Sequence, residues 1–137
     1  MKVLMIENDL RLAAVICDVL LFQKHQVSID SDEAGLQKKL KKQDFDMMIW
    51  DASYEGAEYD LTLKQIKEQN PSLTVVAITE EMTLDKRIRI LDAGADYCLE
   101  KSFDVRALLM CIQGISRKKR WEYNWNYHSR HQRAAAC

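Results

Sequence analysis

Short apolar runs punctuate the chain at residues 3–6 (VLMI), 27–29 (VSI), 47–50 (MMIW), 75–78 (VVAI) and 97–99 (YCL). The first, third and fourth lack strict alternation, which suits strands buried on both faces of a parallel sheet. Stretches of helical period lie between the runs. Leu10, Ala13, Ala14, Cys17 and Leu21 fall on one stripe. So do Leu84, Ile88 and Leu91, and so do Val105, Leu108, Leu109, Ile112 and Ile115. Weaker helices fit 33–42 and 60–69, the second stopped by Asn70 and Pro71. Gly94 stands where a helix C-terminal glycine is expected.

Strand followed by helix, five times over, predicts an α/β fold with helices on both faces of the sheet. The expected architecture is a flavodoxin-like (βα)5 three-layer sandwich with a parallel sheet of strand order 2-1-3-4-5. In such a sheet, ligands bind beyond the carboxyl ends of the strands, where strands 1 and 3 are neighbours. Polar residues gather at those ends. Strand 1 runs into Glu7, Asn8 and Asp9, strand 3 ends at Asp51, strand 4 at Thr79 and Glu80, and strand 5 runs through Glu100 into Lys101.

Glu7, Asn8 and Asp51 would meet there, and clustered side-chain oxygens suit a hard cation such as Mg²⁺. An aspartate beside a metal and a lysine can act as nucleophile and form an acyl phosphate, and Thr79 can hydrogen-bond a phosphoryl oxygen. Any one of these residues is adequately explained as a strand leaving the core. Four suitable residue types at four strand ends are not.

Composition narrows the setting. A hydrophobic content of 47% in 137 residues supports one packed domain, and no apolar run approaches the roughly 18 residues of a membrane span. The N-terminal residues are too soon acidic for a signal peptide. Cys17, Cys98, Cys111 and Cys137 show no C-x-x-C spacing, so they read as reduced thiols of a cytoplasmic protein, the first three as buried small hydrophobes. With glycine only at 35, 56, 94 and 114, no Gly-rich phosphate loop exists. Residues 118–137 carry five basic side chains against Glu122, so a basic tail follows an acidic body.

These residues resemble the receiver domain of bacterial two-component response regulators over roughly residues 1–117. The segments VLMIENDLRL, MMIWD, VVAIT and RIRILDAGADYCLEKSF carry the resemblance, and the last is similar to the winged-helix transcription-factor branch. The resemblance implies phosphorylation of Asp51 by a sensor histidine kinase. It implies Mg²⁺ held by Glu7, Asp51 and the backbone carbonyl of Ser53, with Asn8 in the second acidic position. Thr79 and Lys101 would take the family's hydroxyl and lysine roles, without making the chain an enzyme beyond self-catalysed phosphoryl transfer and autodephosphorylation.

Several positions depart from the family pattern. Asn8 replaces a carboxylate, which weakens the expected metal pocket without abolishing it. Glu80 replaces a small residue and is expected to crowd an incoming donor. Ser102 replaces a proline that usually carries a cis peptide; without proline that isomer costs about 2.5–4 kcal/mol. The Lys101 loop is therefore expected trans, with its ammonium displaced. Glu55 and Tyr59 replace proline and glycine after Asp51, and Cys98 replaces the switch aromatic. A homodimer through the fourth helix, fifth strand and fifth helix is expected to be weak or differently built. Ala107, Cys111 and Gln113 stand where charges are common, although Arg87, Arg89, Asp92 and Asp96 remain.

Residues 118–137 read as a linker or flexible tail. The alternating Trp121, Tyr123, Trp125 and Tyr127 also suit one face of a strand, or a single-stranded nucleic-acid contact. Twenty residues cannot form a winged-helix DNA-binding domain. The chain is expected to be a stand-alone receiver or a receiver cut from a longer regulator. Two functions stay open: a phosphoryl-accepting switch, or a phosphorylation-independent receiver acting as a protein-interaction module.

Overall fold

The computed structural model describes residues 1–30, 35–52 and 57–135. Strand and helix alternate along the described residues as β1 (Lys2–Ile6), α1 (Leu10–Phe22), β2 (Gln26–Asp30), α2 (Leu36–Lys42) and β3 (Met47–Asp51). They continue as α3 (Ala57–Gln69), β4 (Thr74–Thr79), α4 (Leu84–Ala93), β5 (Tyr97–Glu100) and α5 (Val105–Ala135). The strands form one parallel sheet in the order β2-β1-β3-β4-β5. This is the expected flavodoxin-like (βα)5 fold. Two compact units divide it, Met1–Phe103 and Asp104–Cys137.

In the first unit β1, β3 and β4 are buried on both faces, as their unalternating apolar runs require. Leu4, Ile6, Met48, Trp50, Val75 and Ala77 point to one face and pack with Leu36 and Leu40 of α2, Leu63 and Ile66 of α3, and Ile90 and Ala93 of α4. Their strand neighbours Val3, Met5, Met47, Ile49, Val76 and Ile78 are buried on the other face. Right-handed crossovers put α1 on that side, because the chain reverses direction across the sheet after β2.

Two helices present a different stripe from the one their apolar spacing suggests. On α1 the buried residues are Ala13, Ile16 and Leu20, while Leu10 and Leu21 are exposed. Helix α1 is apolar on nearly every side, so periodicity alone does not choose its inward face. On α4 the stripe Leu84, Ile88 and Leu91 is 72, 49 and 39% exposed, and Ile90 and Ala93 are buried instead. Lys86 precedes these two by four and seven positions, so a lysine shares the inward stripe of α4.

Gly94 ends α4 as expected, with φ 123°, and its N–H donates to the carbonyls of Ile90 and Leu91. The start of the helix expected at 33 lies outside the described residues. Cys98 is buried, while Cys17 and Cys111 are half-buried free thiols. Burial pushes both the Cys98 and Cys111 thiols up, the first against a nearby Arg87 charge.

The second unit corrects the reading of the alternating aromatics as one face of a strand. Helix α5 runs for 31 residues and passes residue 117 without a break. Asp104 caps it, its carboxylate accepting from the Arg106 N–H at 2.8 Å. Leu108, Ile112 and Ile115 are buried, and Trp121, Tyr123, Trp125 and Tyr127 are exposed. Alternation spreads these aromatics over two sides of a helix. The i, i+4 partners Trp121 and Trp125 share one side, stacked at 5.9 Å with 5° between planes.

Candidate functional site

The register of the sheet assembles the site. Ile6 pairs with Trp50 across β1 and β3, so Glu7 and Asp51 emerge side by side from adjacent strands. Thr79 closes β4 opposite Glu100, and Lys101 follows directly, its N–H donating to the Thr79 carbonyl at 2.7 Å. Among the described residues, Asp51, Thr79 and Glu7 are the buried polar residues at this edge.

The Lys101 ammonium joins the two acids. Its Nζ donates to Asp51 Oδ2 at 3.1 Å and to Glu7 Oε1 at 3.3 Å. The peptides of the described residues are all trans, and the lysine stem is long enough to reach the acids from that backbone. Burial alone would lower the Lys101 ammonium, but the hydrogen bond and charge of Asp51, with Glu7 behind them, hold it above its ordinary range. Glu7 is pushed up, first by burial and then by the Asp51 charge, against the N–H of Asp9 that holds its Oε1.

The polar triplet after β1 divides its labour. Glu7 enters the pocket, Asn8 is exposed, and Asp9 caps α1 by accepting from the N–H groups of Arg11 and Leu12. Among the described residues no group of three His, Cys, Asp or Glu side chains is placed to hold a metal. Glu7 Oε2, however, is buried without a hydrogen-bond partner beside the Asp51 carboxylate. Two carboxylates with an oxygen to spare fit Mg²⁺ in donor type. Ser53, whose carbonyl is the further expected ligand, lies outside the described residues, as do Glu55 and Gly56. Tyr59 is buried in the first turn of α3 with its ring 4.2 Å from that of Trp50. Glu80 is exposed.

One residue at the site was not legible beforehand. Lys86 Nζ donates to Thr79 Oγ1 at 3.2 Å and to the Glu81 carbonyl at 2.9 Å. The Thr79 hydroxyl donates weakly to the same carbonyl at 3.3 Å. The signal was available in the spacing 86, 90, 93 on α4, but a lysine is normally assigned to the solvent side. As a chemical arrangement, the site offers a carboxylate oxygen at the sheet edge, an ammonium against it, and a buried hydroxyl next door.

Comparison with known proteins agrees with this fold. Residues 3–113 match the family model of the response regulator receiver domain. The response regulator protein FleR of Pseudomonas aeruginosa is 34% identical over 109 residues, covering 79% of this chain and 23% of FleR. The response regulator ArlR of Staphylococcus epidermidis is 30% identical over 119 residues, covering 86% of this chain and 53% of ArlR. The chain thus spans about a quarter and about half of these curated relatives. A response regulator from Thermotoga maritima superposes with a TM-score of 0.77 at 21% identity, covering 83% of this chain and 95% of that structure. No helix among the described residues is long and apolar enough to cross a membrane. With its five-stranded parallel sheet and its matched 3–113 segment, the chain belongs to the response regulator receiver domain family.

Proposed function

We propose that this chain is a phosphoryl-accepting switch in which Asp51 takes a phosphoryl group from a sensor histidine kinase and alters contacts with protein partners. One observation carries the reading: the Lys101 ammonium bridges Asp51 and Glu7 at the carboxyl edge of the sheet, with Asp51 still 8% exposed. An Asp51 oxygen attacks phosphorus, a P–O bond forms, and the P–N bond to the kinase histidine breaks with its electron pair leaving on nitrogen. Lys101 sits against the nucleophile, where negative charge accumulates on the phosphoryl oxygens, and Thr79 supplies a hydroxyl at the neighbouring strand end. Glu7, Asp51 and the Ser53 carbonyl, with Asn8 alongside, would hold Mg²⁺, which supplies charge neutralisation when bound.

A DNA-binding output domain, a cytoplasmic setting and a weakened homodimer through α4, β5 and α5 belong to the same proposal. The similarity of residues 87–103 to the winged-helix branch supports the first, and FleR and ArlR extend beyond the matched part. Internal pairing supports the weakness of the third: Arg89 meets Asp60 at 3.1 Å and Asp96 meets Lys67 at 3.0 Å.

The phosphorylation-independent receiver is favoured by one feature, the exposed Asn8 in place of a second pocket acid. Incubation with acetyl phosphate and Mg²⁺, followed by intact mass measurement, separates the two. The switch reading expects a single phosphoryl adduct on the wild type and none on Asp51→Asn. No adduct from acetyl phosphate or from a cognate kinase would sink it.

A further inference from the structure

The contact between α4 and the Thr79 hydroxyl has no place in the chemistry above. Lys86 lies on the inward stripe of α4, in the first turn after the cap Thr83, whose hydroxyl accepts its N–H at 3.2 Å. Its half-buried stem carries the ammonium to Thr79 Oγ1 and the Glu81 carbonyl. Thr79 is fully buried, so its hydroxyl must find its partners within the protein.

A threonine hydroxyl has one hydrogen to give and two lone pairs to accept with, whereas an ammonium only gives. Lys86 therefore occupies an acceptor position on Thr79 and leaves the hydroxyl hydrogen for another partner. That hydrogen now rests on the Glu81 carbonyl at 3.3 Å, a long bond for O–H to oxygen. If it turns away, the Glu81 carbonyl is not orphaned, because Lys86 still serves it at 2.9 Å. Donation from a charged ammonium also polarises the hydroxyl and makes it a better donor. The arrangement lets Thr79 redirect its hydrogen at little cost while its oxygen stays tied to α4. On β5 the side chain packed in the core at position 98 is a small thiol, which offers no ring to follow a moving Thr79.

We propose that Lys86 is a positioning residue for Thr79 and the link that carries phosphorylation of Asp51 to helix α4. The proposal rests on Asp51 being the phosphoacceptor. Thr79 turns its hydroxyl hydrogen toward the phosphoryl oxygen, Lys86 follows the Thr79 oxygen, and the first turn of α4 shifts with it.

Hydrogen–deuterium exchange of peptides covering Leu84–Ala93, with adduct formation followed by intact mass, tests the link. The wild type is expected to change its α4 exchange on phosphorylation. Lys86→Met is expected to take up the phosphoryl group and lose that change, while Lys86→Arg retains it. Thr79→Val, which cuts the link from the other side, is expected to lose the change as well. An adduct on Lys86→Met with an α4 response equal to that of wild type overturns the proposal and leaves Asp51 as phosphoacceptor. The same holds if the phosphorylated wild type shows no α4 response. No adduct on the wild type overturns the phosphoacceptor reading and this proposal together. If Lys86→Met does not fold, a Thr79→Val adduct with an intact α4 response overturns the link on its own.

Discussion

Glu7 and Asp51 bring two carboxylates to one buried edge, and Lys101 is what makes that arrangement tolerable. A carboxylate taken out of water disfavours its charged form, and a second one beside it adds to the effect. These residues were legible because each sits directly at the end of an apolar run, where strand geometry dictates its place. Lys86 was not legible, because its role depends on which stripe of α4 turns inward, and the apolar spacing favours the wrong one.

A second buried titratable group gives a prediction at this scale. His25 Nδ1 accepts from the N-terminal ammonium of Met1 at 2.7 Å. Burial, and then that positive charge, lowers the His25 ring below its ordinary value of 6.5. A depressed folded value means the stabilisation is present above 6.5 and is lost as pH falls through the lowered value. Urea midpoints of the untagged wild type should therefore decline more steeply than those of His25→Gln as the pH falls from 6.5 to that lowered value. Parallel decline in the two proteins would remove His25 from the account.

At the scale of elements, strand positions followed from the sequence because a doubly buried strand needs only continuity of apolar residues. Helix faces were harder. Helix α1 has apolar residues all around, and α4 carries its larger ones outward, so packing against the sheet decides what period cannot. The tail illustrates the same limit. Four aromatics at alternate positions look like one face of a strand, yet the 105–135 segment is one helix with those rings exposed. Its polar residues and missing prolines are compatible with continuing a helix that residues 105–117 have already nucleated.

Deleting residues 118–137 tests that element. Far-ultraviolet circular dichroism should lose the helical signal of about 18 residues, the part of α5 beyond 117. The thermal midpoint should barely move, because the rings there bury little apolar surface. An unchanged helical signal would mean that the tail is not helical. A large drop in midpoint would mean that the aromatics are packed.

At the scale of the whole molecule, five βα units with polar strand ends specified the sheet order and the edge at which chemistry would gather. Topology rules leave few alternatives for such a pattern, and the carboxyl edge of a parallel sheet is where polar groups escape the core. The departures from the family pattern cluster around that edge: Asn8 and Glu80 are exposed beside it, and Cys98 is packed in the core beneath it. A receiver fold with these changes keeps the Asp51 carboxylate, the Lys101 ammonium and the Thr79 hydroxyl in one place. The central claim is that Asp51 forms an acyl phosphate. Borohydride reduction after treatment with acetyl phosphate and Mg²⁺ tests it most directly, since it converts a phosphorylated aspartate to homoserine that peptide mass spectrometry locates. The account predicts homoserine at position 51 alone and only in the treated sample; reduction at another residue, or at none, would contradict it.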